Sequence, residues 1–123
     1  MNSVFVYCES DEGIVAEVSL ELLTKGRKLA DKLKCQLEAV VIGARLKDVE
    51  QQLFPYGVDV LHLADDPRLE PYRTLPHASI LINLFKAEKP QVALMGATTT
   101  GRDLGPRVSS ALHSGLTADC TGL

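Results

Sequence analysis

The amino-acid sequence predicts an α/β domain, a three-layer αβα fold with a Rossmann-like open parallel sheet. Short apolar runs rich in β-branched residues alternate with longer segments whose apolar residues recur at helical spacing. Four such strand–helix units follow one another, and parallel strands joined by right-handed crossovers, with helices on both faces, accommodate them economically. The length of 123 residues, with 46% hydrophobic and 24% charged residues, corresponds to one globular domain spanning residues 1–123.

The first half of the chain supplies two strands and a long helix. Residues 3–8 form a short apolar run that indicates a strand. Apolar residues at helical spacing across 15–33, with charged residues opposite them, predict an amphipathic helix of about five turns. Gly26 inside this helix costs about 1 kcal/mol relative to Ala, so we expect a close packing contact there. Residues 37–42 form a second strand, covered on both faces, which ends at Gly43.

The second half continues the alternation. In order, we predict a short helix at 46–53, a strand at 58–63, a helix at 74–86, a strand at 91–96, a helix at 104–113 and the opening of a fifth strand at 116–120. Asp103 is expected to cap the last helix. The sequence ends three residues after Cys120, so we expect a fold that is incomplete at its C-terminal end. Such an unfinished sheet edge favours pairing with another chain.

Charge and composition exclude several classes of protein. The net charge of −3 argues against nucleic-acid binding, which needs a concentrated basic surface. No apolar run approaches the roughly 20 residues of a membrane span, and the first residues resemble neither a signal nor a transit peptide, so we expect a cytoplasmic protein. The scattered Cys8, Cys35 and Cys120 fit neither a disulfide framework nor a zinc site, and we expect buried thiols.

The richest candidate site is the loop that follows the strand at 91–96. In an open parallel sheet, ligands bind beyond the carboxyl ends of the strands. This loop offers glycines, hydroxyls and a cation beside a helix N-terminus, a setting that favours an anion. The candidate anion- or nucleotide-binding residues are Gly96, Thr98, Thr99, Gly101 and Arg102. The loop matches neither the dinucleotide fingerprint nor a P-loop. In the alternative interpretation the threonines only shape the turn, and Arg102 pairs with a carboxylate.

Other candidates are weaker. The acidic stretch at 8–12 follows a strand, where carboxylates bind Mg²⁺ or a ribose in some proteins, although a solvated loop is the simpler interpretation. His62, His77 and His113 belong to different elements. No Ser/His/Asp or Cys/His arrangement can be assembled from them, so we assign no catalytic residue and no metal ligand. His62 is interpreted as a satisfied core or interface histidine.

Two blocks of sequence are specific enough to suggest a family. The first is Gly-Ala-Thr-Thr-Thr-Gly-Arg-Asp-Leu-Gly-Pro-Arg-Val at 96–108, and the second is Gly-Leu-Thr-Ala-Asp-Cys-Thr-Gly-Leu at 115–123. Together with the opening Val-Phe-Val-Tyr strand and the Lys-Pro–strand–Gly-Ala-Thr passage at 89–98, they resemble the N-terminal domain of the electron transfer flavoprotein alpha subunit. The resemblance covers the whole chain and implies a fold of the adenine nucleotide alpha hydrolase type.

The resemblance also implies a function. Members of this family are heterodimeric carriers, not enzymes, in which the alpha subunit pairs with an electron transfer flavoprotein beta subunit. They accept electrons from acyl-CoA dehydrogenases of fatty acid β-oxidation, or from other flavin dehydrogenases, and pass them to a quinone reductase or, in bifurcating relatives, to ferredoxin. The FAD of the full-length assembly is held mainly by a separate C-terminal domain, to which nothing in these 123 residues corresponds. The resemblance therefore implies a scaffold and subunit-interface domain. The alternative is an adenine-nucleotide-binding module that uses the loop at 96–102.

We predict that the isolated chain binds no flavin, because the FAD-binding motifs of the family are absent and aromatic residues are few. The purified protein should be colourless, without the visible absorbance of a bound flavin. Flavin that co-purifies in a one-to-one ratio would contradict this prediction.

Overall fold

Strand β1 (Ser3–Cys8) lies at the centre of the fold, and all six of its residues are buried in the computed structural model. The structure describes residues 3–11, 13–44, 46, 48–66, 69, 74–88, 92–96, 103–104, 107–108 and 117–121. After β1 the elements are β2 (Ser10–Asp11), β3 (Ile14–Val15), α1 (Glu17–Leu33), β4 (Gln36–Gly43), α2 (Val49–Leu53), a 3-10 helix (Phe54–Tyr56), β5 (Val60–Asp65), α3 (Thr74–Glu88), β6 (Val92–Gly96) and β7 (Thr117–Thr121).

The main sheet has five parallel strands in the order β5-β4-β1-β6-β7. The chain builds outward from β1 to β4 and β5, then returns to the other side of β1 and continues through β6 to β7. The predicted open parallel sheet is confirmed. Its order reverses between β1 and β6, which is the place where ligands bind in folds of this type. The predicted opening of a fifth strand corresponds to β7, which pairs with β6.

Side chains of β1 alternate between two hydrophobic cores. Val4, Val6 and Cys8 belong to one core, where they pack with buried residues of α1. Phe5 and Tyr7 belong to the second core, which includes buried residues of α3. Helices therefore cover both faces of the sheet, as the three-layer prediction requires. Among the described residues, no helix is both long and apolar enough to cross a bilayer.

Gly26 is a point of close approach between α1 and the sheet. A Cβ atom at this position would lie 3.0 Å from Leu37 Cδ1 and 3.0 Å from Val6 Cγ2. The close packing contact that we expected from a glycine within a helix is confirmed. The helix then ends at Lys34, whose φ of 58° is left-handed and whose N–H points back to Ala30 O and Asp31 O.

Strand β5 begins two residues later than predicted, because Asp59 forms hydrogen bonds with Leu37 of β4 and Arg27 of α1. Its N–H donates to Leu37 O at 2.8 Å, and its Oδ2 accepts from the Leu37 N–H at 2.9 Å. Arg27 Nη1 donates to the same Oδ2 at 3.0 Å and to Gly57 O at 2.7 Å. The Leu37 N–H, and after it the Arg27 guanidinium, lower the pKa of the Asp59 carboxyl. This connection leaves the buried Val58 in the core but outside the strand.

The predicted helices differ in extent from the observed ones. Within the segment predicted at 46–53, α2 has only five residues. The chain continues through the 3-10 helix, and Pro55 is the second residue of that helix. Gly57 then turns the chain with a φ of 85°, a conformation that favours glycine. Of the helix predicted at 104–113, the described residues 103–104 and 107–108 are helical, and the others lie outside the described residues.

His77 fastens α3 to β1 and to the loop before α3. The side chain of this 3%-exposed residue places Nδ1 3.1 Å from Tyr7 Oη and Nε2 3.1 Å from Leu69 O. A carbonyl oxygen only accepts, so Nε2 carries the proton of the neutral ring, and Nδ1 accepts from the tyrosine hydroxyl. Burial lowers the pKa of His77, with the hydrogen bond to Leu69 opposing that change.

We predict that His77 makes the protein less stable in mild acid. The unfolded chain takes up a proton near pH 6.5, whereas the folded chain resists it, so stability is complete above this pH and falls as the pH drops toward the folded pKa. The slope from this residue is at most about 1.4 kcal/mol per pH unit. Urea unfolding at several pH values between 7.5 and 5, on the natural chain and on His77→Gln, checks it. The natural chain should lose more stability than the variant, and parallel curves would contradict the prediction.

Candidate functional site

The carboxyl ends of β1 and β6 form the switch point of the sheet. In register, Val4, Phe5 and Val6 pair with Val92, Ala93 and Leu94, and continuing this register places Cys8 opposite Gly96. Gly96 is the last residue of β6, so this predicted site residue stands at the switch point. The other four, Thr98, Thr99, Gly101 and Arg102, lie outside the described residues. An anion or nucleotide site in this loop stays a prediction.

The connection after β1 is more ordered than the sequence indicated. Strands β2 and β3 form a small antiparallel hairpin, in which Ser10 pairs with Val15. The Glu9 N–H donates to the buried Ser19 Oγ at 2.8 Å, and the Ala16 N–H donates to Glu9 O at 2.8 Å. The acidic stretch interpreted as a solvated loop or a Mg²⁺ or ribose site is therefore tied to the start of α1 by its own backbone.

Gln52 of α2 holds this hairpin from the other side. Its Oε1 accepts from the Val15 N–H at 2.8 Å, and its Nε2 donates to Gly13 O at 2.8 Å. One amide thus satisfies two backbone groups of a loop that lies far away in sequence. Sequence reasoning missed this residue, because a glutamine in a short polar helix carries no signal that separates a clamp from a solvated side chain.

The neighbouring strand ends are packed just as closely. A Cβ atom on Gly43 would lie 3.2 Å from Ser10 Oγ, so the end of β4 stands against the hairpin. Asp65 Oδ2 accepts from the Leu46 N–H at 3.2 Å, and the Asp66 N–H donates to Gly43 O at 2.9 Å. These contacts join the carboxyl ends of β1, β4 and β5 into one layer of loops.

Cys8 stands at the switch point but is not poised to react. Its side chain is fully buried, and Sγ lies 3.8 Å from Val6 O. Burial, assisted by the nearby Glu9 charge, raises the pKa of the Cys8 thiol far above its ordinary value. A thiol is the weak form of this nucleophile, so Cys8 serves as a small core residue. The expected burial is confirmed for Cys8, whereas Cys35 is half-buried, and both are free thiols.

Asp103 and Arg107 mark the helix that follows the candidate loop. Arg107 Nε stands 3.4 Å from Asp103 Oδ1. Such an exposed pair one helical turn apart contributes about 0.3–0.5 kcal/mol. Asp103 and Leu104 are helical, and the residues directly before them lie outside the described part of the chain. The prediction that Asp103 is the N-cap therefore stays a prediction.

Comparison with known families settles the relationship of the chain. A model of the electron transfer flavoprotein domain matches residues 4–123. The chain belongs to the electron transfer flavoprotein family. The resemblance indicated by the two C-terminal sequence blocks is confirmed.

Relatives in this family include alpha subunits. The electron transfer flavoprotein subunit alpha of Megasphaera elsdenii is 45% identical over 120 residues, which cover 98% of this chain and 36% of that protein. Protein FixB of Rhizobium meliloti is 46% identical over 125 residues, which cover 98% of this chain and 35% of that protein. The acryloyl-CoA reductase electron transfer subunit beta of Anaerotignum propionicum is 42% identical over 120 residues, with 98% and 33% covered. The chain spans about a third of the length of these relatives.

The same architecture occurs outside the family. The universal stress protein of Archaeoglobus fulgidus has a TM-score of 0.58 at 13% sequence identity, and the match covers 98% of this chain and 93% of that one. At this identity the likeness shows the fold alone. It confirms the Rossmann-like α/β arrangement of this electron transfer flavoprotein domain.

We predict that Gln52→Ala lowers the free energy of unfolding by about 1–2 kcal/mol, because two loop backbone groups lose their partner. Gln52→Glu should cost a similar amount, since it keeps an acceptor for Val15 but sets a carboxylate oxygen against Gly13 O. The exposed neighbour supplies the matched control, and Gln51→Ala should change stability by less than about 0.5 kcal/mol. Urea unfolding of the four proteins measures this. Equal stabilities for the Gln51 and Gln52 variants would contradict it.

Proposed function

We propose that the chain is the scaffold and subunit-interface domain of a heterodimeric electron transfer flavoprotein. The observation that carries this proposal is the family match over residues 4–123, combined with coverage of only about a third of the alpha-subunit relatives. In the proposed assembly, FAD is held outside these 123 residues. The cytoplasmic heterodimer accepts electrons from acyl-CoA or other flavin dehydrogenases and passes them to a quinone reductase or to ferredoxin.

The described part of the chain supports a scaffold role more than a catalytic one. The reactive groups nearest the centre of the sheet are engaged in the core, since Cys8 is a buried thiol and His77 is a buried histidine bonded to Tyr7. In the loops at the carboxyl ends of β1, β4 and β5, polar side chains accept hydrogen bonds from backbone N–H groups of the same loops and of the elements next to them. Such a layer presents a fixed shape, which suits the docking of another subunit. The proposed role is therefore that of a carrier subunit.

Three large apolar side chains supply the surface for such a partner. Ile14 on β3 is 69% exposed, Phe54 after α2 is 47% exposed and Leu63 on β5 is 40% exposed. Ile14 lies on β3, which packs against α2, and Phe54 directly follows α2 as the first residue of the 3-10 helix. Exposed apolar side chains of this size are a common feature of protein–protein contacts. We place the beta subunit on this side of the domain.

The test is capture of the chain by an affinity-tagged beta subunit from the same source. The natural chain should be retained in a one-to-one ratio, and Ile14→Asp combined with Phe54→Asp should weaken retention at least about tenfold, because buried apolar contacts become unpaired charges. The matched control is Glu21→Lys combined with Lys28→Glu, which changes two exposed charged positions on α1 and leaves the net charge unaltered. Circular dichroism establishes that each variant is folded. Undiminished retention of the Ile14/Phe54 variant would contradict this placement of the interface.

The nucleotide-binding alternative rests on the position of Gly96 at the switch point. It predicts that millimolar AMP or ATP raises the melting temperature of the chain, and that Arg102→Ala abolishes the increase. The scaffold proposal predicts the same melting temperature with and without nucleotide. Thermal melts of both proteins thus distinguish the two functions.

A further inference from the structure

Three side chains with metal-ligating atoms meet on the α3 side of the sheet, away from the switch point. Glu38 lies on β4, His62 on β5, and Glu88 is the last residue of α3. One ligand atom from each of the three lies within 4.8 Å of the other two. Within the described part of the chain, this group combines an imidazole with two carboxylates, which is donor chemistry suited to a transition-metal ion.

The fold brings these residues together through strand register and helix periodicity. Glu38 pairs with Phe5 of β1, and His62 pairs with Val40 of β4. Phe5 and Val40 both belong to the core beneath α3, so Glu38 and His62 project from the same face of the sheet. The Phe85 ring of α3 packs edge-on against Phe5, with ring centroids 5.4 Å apart.

Glu88 reaches the pair from the last turn of α3. It follows Phe85 by three residues and therefore lies on the same side of the helix, the side that faces the sheet. The three ligands thus come from a central strand, an edge strand and a helix end. An ion bound to all three would join these elements on the second core of the protein.

Two of the ligands are already held in place. Glu38 is only 6% exposed, and its Oε1 lies 2.8 Å from His62 Nε2. The His62 ring stacks on Phe5 with a centroid distance of 5.4 Å and an interplanar angle of 28°. Packing on one side and a hydrogen bond on the other fix the direction of Nε2. A site with fixed ligands binds a metal with little loss of side-chain freedom.

The charges around the pair are unbalanced. Glu88 has no hydrogen-bond or ion-pair partner among the residues that the structure describes, and it stands at a helix C-terminus, where the dipole disfavours an anion. Two carboxylates brought this close together repel each other, and a divalent cation bound between them offsets that repulsion. Ser3 Oγ, on the same face of β1 as Phe5, is also buried and has no hydrogen-bond partner within the described part of the chain. Unsatisfied polar atoms are thus found at the same side of the sheet as the ligand cluster.

We propose that Glu38, His62 and Glu88 bind one divalent transition-metal ion, with zinc as the ion of choice. Imidazole nitrogen favours zinc over the oxygen-preferring magnesium and calcium ions. His62 and Glu88 are half-buried, so solvent completes the coordination shell through water. The ion takes the place of the Nε2 proton that His62 shares with Glu38, and this proton moves to solvent or to Nδ1 when the metal binds. The ion then links β4 to β5 and adds α3 to that link. Its role is to stabilise the fold at the edge of the sheet, independently of the electron-transfer function.

The test is a zinc titration of the tag-free chain, freed of metal by a chelator and placed in the Cys35→Ser background so that the half-buried thiol does not contribute. Competition with a chromophoric zinc chelator gives the stoichiometry and the dissociation constant, and thermal melts with and without zinc give the stabilisation. We expect one zinc ion per chain and a melting temperature that rises with zinc concentration. Addition of cobalt(II) in place of zinc should produce the visible absorbance of a low-symmetry nitrogen–oxygen site.

Glu88→Gln is the decisive variant. This carboxylate has no described partner, so its replacement should leave the metal-free fold intact while it weakens zinc binding about tenfold or more. His62→Gln should weaken binding at least as much, and Glu50→Gln, at an exposed acidic position of α2, is the matched control that should bind zinc like the parent. If His62→Gln does not fold, Glu88→Gln alone decides the outcome. Equal zinc affinity in the parent and in Glu88→Gln, or no zinc-dependent rise in melting temperature, overturns the proposal.

Discussion

Strand β1 is buried on both faces and along both edges, and most of the fold follows from that constraint. Its six residues are all buried, with two parallel neighbours in the sheet and a helical layer on either side. Each large apolar side chain buried in this way contributes about 1.5–3 kcal/mol. The strand therefore needs β4 and β6 to satisfy its backbone and both helical layers to cover its side chains. The strand order, the position of the switch point and the division into two cores are consequences of that need.

The architecture could be predicted because burial patterns along a chain are local information. The apolar run at 3–8 and the helical spacing at 15–33 matched β1 and α1 almost residue for residue. The start of β5 was wrong because it depends on distant partners. Asp59 was assigned to the strand predicted at 58–63, yet it bonds to Leu37 and Arg27, and the strand begins only at Val60. Local periodicity contains no information about a hydrogen bond to another element.

The site could be predicted only in part, for a related reason. Gly96 was assigned to a strand end next to the switch point, because the rule for parallel sheets concerns the topology rather than individual contacts. Gln52 was missed because its role depends on a hairpin, β2–β3, that is too short to leave a periodic signal. His62 was interpreted correctly as a histidine with a hydrogen-bond partner. That partner, Glu38, is the one charged residue in the apolar run at 37–42, and nothing in the run itself indicated its role. Only the register of the sheet shows that the two residues meet.

The central position of β1 also determines the order in which the sheet can assemble during synthesis. It is synthesised before the other described strands of the sheet, yet Val4 pairs with Val92 on one side and with Leu37 on the other. At a synthesis rate of about 5–20 residues per second, the apolar edge that β6 covers waits several seconds for its partner. During that time the nascent chain holds a half-built sheet with its most hydrophobic strand exposed along one edge. A holding chaperone would protect this edge, whereas slow translation before residue 92 would lengthen its exposure, so we expect codon choice in this stretch to affect yield without any change of residue.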